Sequence, residues 1–244
     1  MAGSAVVYAI DGLTTVELVC AEIRTDIHAG RLLPGRELRL RDIAESRRVR
    51  LGTLSQLLVG LERDGLLVRR GDVAIVAPLD ADELTSVFKL RRMVEASLLT
   101  RSCELISERE LDRLDAVIPS AVGRDSDATF GAAMRELNLS LLRPAASNMD
   151  QRVIRHIHQA TRRYHCLGIE ALRLAEREGE GAVQGPGLLN HLDRCHQLVG
   201  LIRARNTPAV RSLVRKMIDD SEVLARRSFD LDHDQSLTTR VIGA

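Results

Sequence analysis

Residues 36–70 read RELRLRDIAESRRVRLGTLSQLLVGLERDGLLVRR. Leu40, Ile43 and Ala44 put one apolar face on a short helix. Leu54, Leu57, Leu58 and Leu61 recur at the i, i+3, i+4, i+7 spacing of a second helical stripe. Thr53 with Gln56 has the capping-box pattern, which predicts that this second helix starts close to Leu54. Asp64-Gly65 ends it, because glycine adopts at low cost the left-handed conformation that closes a helix. Leu66, Leu67 and Val68 then form a strand-like run, Gly71-Asp72 a turn, and Val73 to Val76 a β-branched return strand. Two helices across a tight turn followed by a hairpin is the layout of a winged helix-turn-helix.

Working outward, Met1 to Leu13 is a small, mixed arm, and Thr14 or Thr15 caps a helix running to Ala29, with Val16, Val19, Ile23 and Ile27 on one face and Gly30 at its end. Pro78 closes the wing, so a boundary is expected near Leu79, giving domains of residues 1–79 and 80–244. Asp80 with Glu83 is a second capping box, opening a helix whose stripe is Leu84, Val87, Leu90, Val94 and Leu98. Ser107 with Glu110 starts the next, with Leu111, Leu114 and Ile118 buried. A helix from Ala128 carries Phe130, Met134, Leu137, Asn138 and Leu141 until Pro144 stops it. Another runs from Met149 to about Glu178 with Val153, Ile157, Ala160 and Tyr164 inward, and Gly168 marks a point where it could break. Gly179 to Gly187 is a Gly-rich connection. Leu192, Cys195, Val199 and Ile202 make one more stripe, and a last helix starting at Thr207-Pro208 carries Val210, Leu213, Val214, Met217, Ile218 and Leu224. Without strand alternation outside the wing, the fold is mainly α: a winged helix-turn-helix followed by an antiparallel helical bundle.

Composition fits two small domains in 244 residues, with 45% hydrophobic and 28% charged residues. At 2% aromatic and no Trp, the cores must be aliphatic, and the stacking platforms of a single-strand binder are missing. A net charge of +1 leaves nucleic-acid binding to a local patch. Residues 36–50 supply one, with six Arg against Glu37, Asp42 and Glu45. Cys20, Cys103, Cys166 and Cys195 are scattered, as for reduced thiols of a cytoplasmic protein. No apolar run is long enough to span a membrane, and Met1 to Ile10 lacks the charged start of an export signal. No nucleophilic triad or paired carboxylate appears, so no enzyme activity is expected.

The runs GRLLPGREL (30–38), DIAES (42–46) and LLVGLERDGLLV (57–68) resemble the amino-terminal domain of the GntR regulators. ELTSVFKLRRMVEASLLTRSCELISERELDRLDAVI (83–118) is similar to the start of the helical effector domain, of the FCD type, in their FadR-like branch. The resemblance covers Thr15 to Arg227. Its sharpest parts are Leu33-Pro34-Gly35, the Leu-Glu-x-x-Gly-Leu at Leu61 to Leu66, and the Leu-Arg-x-x-x-Glu at Leu90 to Glu95. It implies a homodimeric transcriptional regulator that binds double-stranded operator DNA under control of a small-molecule effector. A second reading is a regulator-derived protein that no longer reads an operator and serves as a small-molecule-binding or interaction module, or as a pathway enzyme using the old pocket.

In the winged helix-turn-helix the start of the second helix meets base edges, which selects Thr53, Ser55 and Gln56 with Leu51 and Gly52. The basic turn Arg47, Arg48 and Arg50 suits phosphates, or is simply a solvated turn. Gly71 marks the wing. The family implies two recognition arginines, where this chain has Leu51 and Ser55, and one contact in the preceding helix, matched by Arg41.

In the second domain the resemblance implies a divalent metal held by an Asp, a His four residues later and two further His. The matching positions hold Met134, Asn138, Cys195 and Met217, which by periodicity face inward but do not form an oxygen and imidazole shell. No metal or other cofactor is therefore expected, and these residues, with His196 beside Cys195, become candidate effector contacts. His158 and His165 lie two turns apart, ~10 Å, too far to clasp one ion. Arg91 and Glu95 are either an intrahelical ion pair or, with Arg91 turned inward, a contact for a carboxylate effector. Arg162, Arg163 and Tyr164 border the same region.

Overall fold

A computed structural model of the chain describes residues 14–120, 136–177 and 188–233. It divides the chain into an amino-terminal unit ending at Leu79 and a second unit from Asp80 to Leu231.

The amino-terminal unit contains α1 (Thr15–His28), β1 (Glu37–Arg39), α2 (Leu40–Ser46), α3 (Leu51–Arg63), β2 (Leu67–Arg70) and β3 (Val73–Val76). Thr14 and Glu17 form a full capping box: the Glu17 amide donates to the Thr14 hydroxyl at 3.4 Å and the Thr14 amide to the Glu17 carboxylate at 2.7 Å. Val19, Ile23 and Ile27 of α1 pack with Leu40 and Ala44 of α2, Leu54, Leu58 and Leu61 of α3, and Leu67, Ala74 and Val76 of the sheet. Leu57, expected inside, lies at the rim of this stripe and is exposed.

Two features differ from expectation. The helix α3 starts at Leu51 rather than near Leu54, with Arg50 at its N-cap and no side-chain cap, so Thr53 sits inside the first turn and the expected capping box does not form. Residues 37–39, expected to lead straight into a helix, form a third strand on the far edge of β3, giving the antiparallel order β1-β3-β2. Three residues are too short a span for a period of two to stand out, and pairing with β3 is what fixes them as a strand.

The second unit contains α4 (Ala81–Leu105), α5 (Glu108–Ser120), α6 (136–142), α7 (Asn148–Arg177), α8 (Leu188–Arg203), α9 (Thr207–Arg226) and the start of α10 (Ser228–His233). The helix α9 packs on α4, α7 and α8, and α5 packs on α8. Cross-links set the directions. Arg92 meets Asp219 at 2.8 Å and Arg226 meets Thr85 at 3.0 Å, so α4 and α9 are antiparallel. Arg163 meets Glu83 and His158 meets Glu95, so α7 is also antiparallel to α4. No helix among the described residues is long and apolar enough to cross a membrane.

The face of α4 is rotated from the expected one. Leu84, Phe88, Arg91, Glu95, Leu99 and Ser102 are buried, whereas Leu90 is 44% exposed and Val87, Val94 and Leu98 are half-buried. A hydrophobicity count puts Arg91 and Glu95 outside; their mutual neutralisation lets them go in. The helix α7 is continuous through Gly168, and its buried residues include Ile154, Ile157, His158, Thr161, Arg163, Tyr164, Leu167 and Ala171, with Val153 exposed and Ala160 half-buried. The Asp80 cap forms, but Glu83 does not reach back to it. Instead the Asp80 amide donates to the Tyr164 hydroxyl at 3.2 Å, and Tyr164 donates to Glu83 at 2.7 Å. The cap of α9 is Asn206, one residue before the expected start. The expected arm Met1–Leu13, the first part of the helix from Ala128 (including Phe130 and Met134) and the whole 179–187 connection lie outside the described residues.

Candidate nucleic-acid interface and the polar centre of the helical unit

The turn between α2 and α3 is a Schellman motif: the Arg48 amide donates to Glu45 C=O at 3.2 Å and the Val49 amide to Ala44 C=O at 2.9 Å. The motif needs a left-handed residue, and Arg48 takes that place with φ 54°. The same motif ends α1 at Gly30 and α3 at Gly65, where glycine bears it at little cost, and α8 at Arg205, again with φ 54°. A left-handed L-residue costs roughly 1–2 kcal/mol. At Arg205 the side chain offsets this by capping α4, its guanidinium donating to the Cys103 and Ile106 carbonyls. Arg48 is exposed, and no hydrogen bond or ion pair engages its guanidinium among the described residues.

The other arginines of this unit fall into two groups. Arg41 donates to Asp72 in the wing turn at 2.9 Å, Arg47 pairs with Glu22 of α1 at 2.8 Å, and Arg69 donates to Glu62 and to the Ser55 carbonyl, each at 2.6 Å. The Arg41 and Arg47 pairs are exposed and contribute at most about 1 kcal/mol each, but every phosphate drawn to them must displace a carboxylate. Arg50, Arg39 and Arg70 are exposed and carry no such partner. Thr53 and Gln56 are exposed on the first turns of α3, Ser55 is half-buried, and Gly71 (φ 62°) makes the wing turn. The structure thus keeps Arg48 and Arg50 available beside Thr53 and Gln56. It withdraws Arg41 and Arg47 into ion pairs and adds Arg39 and Arg70, which sequence reading missed because their place depends on the unseen strand β1.

In the second unit a polar cluster joins α4, α7 and α9. Arg91 binds Glu95 through two nitrogens, at 2.7 and 3.3 Å, and His158 meets the same carboxylate at 3.0 Å. A third Arg91 nitrogen donates to the Ser221 hydroxyl at 3.1 Å, and that hydroxyl lies 2.6 Å from His165. The guanidinium also stacks 5.2 Å over Phe88, whose ring meets His165 edge-on. Burial alone would raise the Glu95 pKa, but the charge of Arg91 and the bond from His158 outweigh it and hold it at about 2. Arg91 and Glu95 are 6% and 4% exposed, so theirs is a buried ion pair rather than a surface one. An incoming carboxylate would have to replace Glu95.

The remaining effector candidates scatter. Tyr164 is buried and ties α7 to the start of α4, with burial and the bond to Glu83 pushing its pKa up to about 12. Cys195 on α8 and Met217 on α9 are buried, and Asn138 is half-buried on α6; Met134 lies outside the described residues. His196 does not join Cys195 inside: it is exposed, 3.8 Å from Asp115 of α5, because adjacent helical residues point about 100° apart. A groove of about 360 Å³ runs over exposed α9 residues, lined by Pro208, Arg211, Ser212, Arg215, Lys216 and Asp219. The donors do not fit a metal: burial pushes the Cys195 thiol up to about 12, against the thiolate a metal needs. Among the described residues no three His, Cys, Asp or Glu side chains are placed to share an ion.

Residues 15–76 match the family described as bacterial regulatory proteins, gntR family. No curated protein matches the chain in sequence. Among solved structures, E. coli McbR/YncC shares the fold at 14% identity and a TM-score of 0.67, over 89% of this chain and 99% of that one. A putative transcriptional regulator GntR from Rhodococcus sp. RHA1 does so at 20% identity and a TM-score of 0.67, over 86% and 96%. The amino-terminal unit is a GntR-family helix-turn-helix domain.

Proposed function

We propose that this chain is a DNA-binding transcriptional regulator: residues 1–79 bind duplex DNA, and residues 80–244, of the FCD type within the FadR-like branch, pair two copies and take a small-molecule effector. The observation that carries the DNA reading is Arg48. A strained left-handed arginine, exposed and without a partner, sits at the turn that presents α3. Strain held without a structural return points to function. Pairing is supported by the apolar positions Val87, Leu90, Val94 and Leu98, which α4 leaves partly exposed. The effector reading is supported by the Arg91, Glu95 and Ser221 cluster, where a carboxylate compound competes with Glu95 for the guanidinium. Binding there loosens the contact between α4 and α9 and so shifts the pairing of the two heads.

The test is Arg48→Gly. Glycine relieves the left-handed strain, so the variant should be more stable to urea by about 1 kcal/mol. It also removes one phosphate contact per chain, two in the pair, so affinity for any duplex should fall about 60-fold at 0.1 M salt. Stability and binding thus move in opposite directions. A variant that binds DNA as the native chain does would contradict the role of Arg48. The reading as a non-DNA-binding module rests on Leu51 and Ser55 at the recognition positions and on the pairing of Arg41 and Arg47. It predicts no duplex binding by the native chain at all.

A further inference from the structure

We infer that the groove over the first half of α9 is a second ligand site, suited to a small anion carrying two or more linked phosphate groups. The site stands whether or not the amino-terminal unit binds DNA. Its lining is Pro208, Arg211, Ser212, Arg215, Lys216 and Asp219, around a volume of about 360 Å³. That size fits a small ligand rather than a folded partner. Arg211, Arg215 and Lys216 are exposed, and among the described residues no ion pair engages any of them. The carboxylates of the same helix are all occupied. Asp219 is held by Arg92 of α4 at 2.8 Å, Asp220 by Arg194 of α8, and Glu222 by Arg92 and Arg226.

Nothing in the helix itself accounts for this charge order. Arg211 and Arg215 are like charges at i and i+4, which weakens a helix where an opposite pair would support it. Cations in the first half of α9 and acids in the second also run against the helix dipole. A local rule broken without structural return is the mark of a functional site. The donor set then selects the ligand. Two guanidinium forks, an ammonium group and the Ser212 hydroxyl can all donate, and the one carboxylate in the groove already accepts from Arg92. A peptide would bring backbone N–H groups that find no acceptor here, whereas phosphate oxygens only accept. The forks match phosphate oxygens in pairs. Four residues of helix rise about 6 Å, which sets the two forks to hold phosphate groups that share a bridging oxygen. Pro208 is the one apolar residue of the six, so no surface is prepared for a nucleoside base.

The test is calorimetric titration of the full-length chain with inorganic pyrophosphate in low-salt buffer, beside sulfate and adenosine diphosphate. The variants are Arg211→Ala with Arg215→Ala, Lys216→Ala, and Lys89→Ala, an exposed lysine of α4 outside the groove, as the charge control. Thermal melting checks folding, and the double variant, relieved of a like-charge pair, should melt no lower than the native chain. The native chain and Lys89→Ala should bind one pyrophosphate per chain, and adenosine diphosphate no more tightly. The double variant should lose affinity for pyrophosphate by at least about 10-fold, and Lys216→Ala by less. Sulfate bound as tightly as pyrophosphate would overturn the site, since any anion would then do. So would native affinity in the double variant, or no binding by the native chain. Much tighter binding of adenosine diphosphate would overturn the ligand class. If the double variant keeps its pyrophosphate affinity but loses affinity for a random-sequence duplex, the groove is a nucleic-acid surface and the proposal fails.

Discussion

Gly168→Ala should destabilise the helical unit by about 3 kcal/mol or more, against the usual sign of a helical Gly→Ala change. A Cβ at this position would lie 2.1 Å from the Leu224 carbonyl oxygen and 3.0 Å from its carbon, and both are backbone atoms that no rotamer change can move. The helices α7 and α9 would have to part by more than an ångström. Three residues earlier His165 contacts Ser221, so separation would also strain the polar cluster. Gly200→Ala is the internal comparison. Gly200 lies in α8, exposed and with open space at its Cβ, so alanine there should stabilise by about 0.5–1 kcal/mol. Urea unfolding of the two variants beside the native chain gives opposite shifts if α7 and α9 touch as described. Equal stabilisation by both would mean that they do not.

Glu95→Ala should cost about 3–5 kcal/mol, because it leaves Arg91 buried with no carboxylate and removes the partner of His158. The native pair also has a pH signature. The Glu95 pKa falls from 4.5 to about 2 on folding, so its contribution is complete above 4.5 and is lost as pH drops towards 2. Urea midpoints measured from pH 6 to pH 2 should fall through that window for the native chain, and less steeply for Glu95→Ala. A variant that keeps the native stability at pH 6 would show that Arg91 finds another partner or reaches water.

Much of the amino-terminal unit was legible in the sequence because its signals are local. The Leu54, Leu58 and Leu61 stripe, the Thr14 and Gly65 helix ends and the Gly71 turn each follow from a few neighbouring residues, and each is in place, with Leu57 alone of the expected stripe exposed. The strand β1 was not legible, since only its pairing with β3 makes it one, and with it went Arg39 and Arg70 as a pair. In the helical unit the elements were readable but the buried face of α4 was not. Apolar counting turns Leu90 inward, whereas the interior contains an ion pair whose stability depends on His158 and Ser221 from distant segments. The same limit applies to Gly168, read as a weak point in α7 and in fact the place where α9 approaches. His196 failed as an interior residue for a simpler reason, its neighbour Cys195 already facing in.

The most direct measurement is the salt dependence of duplex binding by the native chain between 50 and 200 mM. Arg39, Arg48, Arg50 and Arg70 are exposed and unengaged at the α2–α3 turn and the wing tip. Four phosphates per chain correspond to a slope of about −3.6, and a two-fold pair with both heads on DNA to about −7. A slope near −7 is the predicted result, and one near −3.6 would mean that a single head binds. A flat profile, or no binding at 50 mM, would contradict a nucleic-acid interface on this face.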